Sequence, residues 1–135
     1  MAVLPIEKYP APVLKAKAEP VQHIDGDLQR LIDDMAETMY AAPGIGLAAN
    51  QVGVLQRVIV FDITPKDQGR NLQVLVNPRI ISASGQVVHE EACLSVLDYS
   101  CPVRRHAQVI VEGLDREGRP VRLEAADLLA IVLQH

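Results

Sequence analysis

An α+β fold, with mostly antiparallel sheets around one buried helix, is what three features of the sequence predict. One amphipathic run, Asp25 to Ala42, is followed by six short β-type runs with no helix between them. The chain then reaches a stretch that is apolar on every side, Leu128 to Leu133. Strands that follow one another directly pair antiparallel, because parallel neighbours need a long crossover, so a doubly wound parallel sheet is disfavoured. With 135 residues, 49% hydrophobic and 22% charged, the chain reads as a single domain over residues 1–135 with enough apolar content for a core.

The elements follow in order. Pro5, Pro10, Pro12 and Pro20 remove backbone donors and restrict φ, which predicts an extended arm with little regular structure laid over the domain. From Asp25, the predicted N-cap, Leu28, Leu31, Ile32, Met35 and Met39 recur at helical spacing, and Asp27, Arg30, Asp33, Asp34 and Glu37 take the other face. Ala42-Pro43-Gly44 ends this helix. Strands are expected at Arg57–Asp62, Leu72–Val76, Arg79–Ala83, Gln86–Glu90, Val103–Glu112 and Arg119–Glu124, with hairpin turns at Ser84-Gly85 and Asp115-Arg116-Glu117-Gly118. Ala125 to His135 is expected to be a helix, buried because it has no polar face between Leu128 and Leu133. A buried helix stopping at His135 would leave its last carbonyls without a cap, so the sequence reads as cut within this element.

Charge and composition exclude several function classes. Thirteen Lys and Arg against seventeen Asp and Glu, a formal net charge of −4, offer no basic stretch to neutralise phosphates, so no direct nucleic-acid binding is expected. No apolar run reaches the length of a membrane span, and the N-terminus lacks a signal-peptide pattern, which points to a cytoplasmic protein. Cys93 and Cys101 have neither a disulfide framework nor the spacing of a zinc knuckle.

Three segments could carry chemistry. In Gly44-Ile45-Gly46-Leu47-Ala48-Ala49-Asn50-Gln51 the glycines permit a sharp turn or close approach to a ligand, and the Gln51 amide can donate to an oxyanion without titrating. Glu90-Glu91-Ala92-Cys93-Leu94-Ser95 follows a strand, and Cys93 reads as a buried hydrophobe, a nucleophile or a metal ligand. A nucleophile would need a base, for which His89, His106 and His135 are the candidates. His23 falls in the arm and His89 and His106 in strand runs, as surface or edge residues. His135, after the apolar helix, needs a partner such as a metal.

Taken together, these segments and the Leu128-Leu129-Ala130-Ile131-Val132-Leu133-Gln134-His135 run resemble, in order and spacing, the three signature segments of the peptide deformylases. The resemblance covers essentially the whole chain, and implies a mostly antiparallel fold around a metal-bearing helix. It implies a metal-dependent amidase that removes the formyl group from the N-terminal formylmethionine of nascent proteins and releases formate. Carried over, Cys93 and His135 are metal ligands, and Gln51 with the Leu94 backbone N–H forms the oxyanion site. Ile45, Gly46, Leu128, Ile131 and Val132 bind the substrate. The cofactor implied is one divalent metal, ferrous iron in the cell and zinc, nickel or cobalt in preparations. The partners implied are formylmethionyl N-termini and the ribosome exit region, in a bacterial-type or organellar setting. The sequence stops at the first His of the expected His-Glu-x-x-His motif, and Ala92, Leu97 and Ser100 depart from the usual Gly, Pro and Arg. Two other readings follow from the residues: a catalytically silent deformylase-like protein that binds peptide N-termini, and a thiol hydrolase using Cys93.

Overall fold

The computed structural model describes residues 2–135, and the side chains of all of these except Lys66, Leu97, Asp98 and Tyr99. The arm runs without regular structure except a 3-10 turn at Pro12–Leu14, as the prolines predict. α1 (Gly26–Ala41) begins where Asp25 Oδ1 accepts from the Leu28 N–H at 2.9 Å, so the predicted cap is the actual one. Its buried stripe of Leu28, Ile32, Met35 and Met39 has the spacing read from the sequence.

Seven strands follow: β1 (Gly46–Ala48), β2 (Val58–Phe61), β3 (Gln73–Ser84), β4 (Val87–Cys93), β5 (Val96–Arg105), β6 (Gln108–Leu114) and β7 (Pro120–Ala126). They form a five-stranded sheet ordered β1-β2-β3-β6-β7 and a two-stranded sheet β4-β5, with every strand pair antiparallel. Alternation sorts the larger sheet into two faces. Val58, Val60 and Val76 pack with α1 on one, whereas Phe61, Leu75, Val109 and Val111 pack with Ala130 of α2 (Asp127–Gln134) on the other.

Four sequence expectations change. The runs Leu72–Val76 and Arg79–Ala83 fall in one strand, which has register shifts between Val76 and Arg79, around Asn77 with its φ of 53°, and between Ile80 and Ser82. Asn77 has a tertiary task, accepting from the Val21 N–H at 2.7 Å and donating to its carbonyl at 3.0 Å, which ties the arm to the sheet. Ser84-Gly85 is not a hairpin turn. Ser84 already pairs with Gln108, so the chain leaving β3 crosses into the smaller sheet. By contrast, Asp115 to Gly118 does close the β6–β7 hairpin, with Gly118 at φ 85°, where a side chain would be strained.

Val103–Glu112 splits into the end of β5 and the start of β6, because Gln134 hydrogen-bonds both the N–H and the carbonyl of His106 and takes them from the ladder. His106 is therefore an exposed residue between strands rather than within one. α2 is also less enclosed than its composition predicts. Ala130 is buried against the sheet, but Leu128 is 39% exposed, and Leu128, Ile131 and Val132 line a cavity.

Candidate active site

That cavity, of about 460 Å³, lies between α2, the Gly44–Gln51 segment and the tip of the β4–β5 hairpin. The nine residues given roles by the family resemblance all line it, Ile45, Gly46, Gln51, Cys93, Leu94, Leu128, Ile131, Val132 and His135, as does the base candidate His89, whereas His106 does not. Three stretches far apart in the chain thus converge. A Cβ on Gly44 would stand 2.9 Å from Leu94 Cδ1, so the absence of a side chain lets the first segment close against the second.

Cys93 ends β4, and the turn Leu94-Ser95 returns the chain to Val96, its partner in the ladder. His89, Glu91 and Cys93 alternate along β4, so they share the face turned to the cavity. Ala92 also borders the cavity, is exposed and does not have positive φ, so the strand accommodates alanine at this position. Ser100 donates to Glu90 at 2.9 Å, and the side chain of Leu97 lies outside the described residues.

Gln51 follows the edge strand β1 in a 3-10 turn. Its Oε1 accepts from the Ala48 N–H at 3.0 Å, which aims Nε2 at Cys93 Sγ, 3.7 Å away, and Ser95 Oγ, 3.3 Å away. The amide is therefore oriented by the backbone before any ligand arrives.

His135 caps α2 and stands with its side chain 37% exposed at the cavity. Its Nδ1 lies 2.7 Å from Glu91 Oε1, and its ring stands beside the Cys93 thiol. Glu91 is buried and takes a two-point contact from Arg105, Nε to Oε2 at 3.0 Å and Nη2 to Oε1 at 2.9 Å. The Arg105 guanidinium, outweighing burial and helped by His135, holds the Glu91 carboxyl down at about 2. Hydrogen bonding to His135 lowers the Cys93 thiol against burial, and the same contact, with Glu91 behind it, raises the His135 imidazole.

These residues fit part of a metal centre. A thiolate and an imidazole are suitable donors, and a carboxylate on the second ring nitrogen is the usual support of a metal-bound histidine. Among the described residues no group of three His, Cys, Asp or Glu side chains is arranged to hold an ion. Sequence reasoning left Glu91 without a role and did not single out Arg105, Ser95 or Gln134. The signal for Glu91 was its place two residues before Cys93 on the same strand face. It read His89 as a surface or edge residue, whereas His89 is half-buried and lines the cavity.

A paired thiol and imidazole beside a preset amide donor, in a mostly apolar cleft, define a site for polar chemistry on a substrate with an apolar arm. The chain matches the polypeptide deformylases over residues 3–135. It is 54% identical over 135 residues to the peptide deformylase of Thermodesulfovibrio yellowstonii, a match spanning all of this chain and 82% of that protein. The peptide deformylase structure from Legionella pneumophila superposes with a TM-score of 0.94 at 43% identity, covering 99% of this chain and 78% of that one. That from Synechococcus elongatus, in complex with actinonin, superposes with a TM-score of 0.95 at 39% identity, covering 100% and 74%. The chain belongs to the polypeptide deformylase family. Membership implies a divalent metal, and nothing in these comparisons favours the catalytically silent reading. Among the described residues no helix is long and apolar enough to cross a membrane.

Proposed function

We propose that this protein removes the N-formyl group from formylmethionine at the start of nascent proteins, releasing formate. The observation that carries the reading is the convergence of Gln51, Cys93, Leu94 and His135 on one cavity, with Glu91 behind His135. Cys93 and His135 would hold the divalent metal, ferrous iron in the cell and zinc, nickel or cobalt in preparations. When bound, the ion supplies Lewis-acid activation of water and of the formyl carbonyl.

The chain's own groups do the rest. Gln51 Nε2 and the Leu94 N–H donate to the oxygen that gains charge as the carbonyl becomes tetrahedral, and both stay neutral. Glu91, fixed by Arg105, holds His135 in one ring orientation. Ile45 and Gly46 lie at and beside β1, an edge strand, where an extended peptide can add as a further strand. Leu128, Ile131 and Val132 receive the methionine side chain and keep water from the reacting carbonyl. Formylmethionyl N-termini, presented at the ribosome exit region, are the proposed partners, and the cytoplasm the proposed location.

The test is formate release from formyl-Met peptides by metal-loaded protein. Gln51→Ala should lower kcat about 10²–10³-fold with little change in KM. Cys93→Ala should lose both bound metal and turnover. Full activity in either variant would remove that residue from the reading. Activity that persists in rigorously metal-free protein and is lost on thiol alkylation would replace it with the Cys93 nucleophile.

A further inference from the structure

His89 is a polar residue in a mostly apolar cavity. Its Nδ1 is sealed from solvent and has no hydrogen-bond partner. Buried polar atoms are almost always paired, so an unpaired one is a cost that constrains how the ring carries its proton. Position accounts for where the ring lies. His89 pairs with Val103 in the β4–β5 ladder and projects from the same strand face as Glu91 and Cys93, toward the cavity shared with Ile131 and Val132. An uncharged imidazole donates from one nitrogen and accepts at the other. A sealed nitrogen without a partner is better left bare, which puts the N–H on Nε2, on the opposite edge of the half-buried ring.

We propose that His89 is a specificity-determining residue that gives the side-chain part of this cavity a hydrogen-bond donor. A first residue whose side chain carries an acceptor is then favoured over an all-carbon chain of equal length. The thioether of methionine is a weak acceptor, and the oxygen of methionine sulfoxide a strong one. The inference rests on the deformylase reading of the site and adds the chemistry by which the first side chain is selected.

Steady-state deformylation of three peptides, beginning with formyl-Met, formyl-norleucine and formyl-Met sulfoxide, tests it in metal-loaded wild-type protein, His89→Leu and His89→Gln. Wild type should favour the sulfoxide over norleucine about 10-fold in kcat/KM, with methionine between them. His89→Leu should reverse that order, and His89→Gln, which keeps a donor, should retain it. His89→Leu should also melt above wild type, because it removes an unpaired buried nitrogen. Equal sulfoxide-to-norleucine ratios in wild type and His89→Leu would overturn the inference while leaving the deformylase reading intact. A wild-type preference for norleucine over the sulfoxide would overturn it with no variant needed. No formate from any peptide would overturn both.

Discussion

The two α-helices among the described residues are held in opposite ways. α1 has sixteen residues, starts at a side-chain cap and buries Ile32, Met35 and Met39 completely. α2, as far as the sequence runs, starts at Ala126 without a side-chain cap and has Asp127 at a φ of 55°. With no side-chain cap at its start, the described part of α2 is placed by contacts from other elements. Arg105 reaches the Gln134 carbonyl at 3.4 Å, Gln134 brackets the His106 backbone, and Glu91 grips His135. The helix that local rules fully specify is scaffold, and the one that depends on its neighbours delivers His135 to the cavity. A site residue can therefore be placed by polar contacts from other elements rather than by local helix signals.

The sharpest break in this comparison is Glu91→Ala. It strands Arg105 and frees His135, so we expect about 3 kcal/mol of lost stability and metal affinity lower by about 10–100-fold. Chemical denaturation and zinc titration read the two effects, and unchanged metal affinity would mean that Glu91 does not position His135. Met35→Ala attacks the other helix, where a cavity under α1 should cost about 2–5 kcal/mol. Its turnover per folded molecule should match wild type, and a fall in turnover at full folding would show that the two helices are coupled.

Acid should reach the α1 side through Asp62, which is buried and accepts from Tyr40 Oη at 2.6 Å. Burial pushes its carboxyl up, but hydrogen bonds from Tyr40, Thr64 and Asn71 prevail and leave it at about 2 against the usual 3.8. The folded state therefore binds this proton less readily than the unfolded chain. The stabilisation is complete above 3.8 and is lost as pH falls toward about 2. Urea midpoints should fall more steeply across this window in wild type than in Asp62→Asn, and parallel declines would contradict the assignment. The smallest effect is expected from Asp25→Ala, which removes the α1 cap for about 1 kcal/mol in thermal stability and leaves metal binding untouched.

Legibility in the sequence follows the same division. α1, its cap, the proline-marked arm and the Asp115–Gly118 turn could be read directly, because each depends on residues within a few positions. Ser84-Gly85 misled because a turn signal does not say which strand lies alongside, and Ser84 was already paired to Gln108. Residues 96–102 of β5 were not read as strand, since Ser100 and Pro102 break the apolar alternation. The three signature segments located the cavity-lining residues, but their support was hidden. Arg105 and Glu91 lie fourteen positions apart, and Gln134 and His106 twenty-eight.

By itself, the sequence determined the fold class, the main helix, the family and the residues to look for, because short-range periodicity, caps and the spacing of three segments encode these. Only the tertiary structure decided that the Gln51 amide turns its nitrogen to Cys93, that Glu91 stands behind His135, and that His89 faces the cavity. Each of these depends on the direction in which a side chain leaves its strand or turn relative to another element. That direction is set by sheet pairing and packing across tens of residues, which local pattern does not carry.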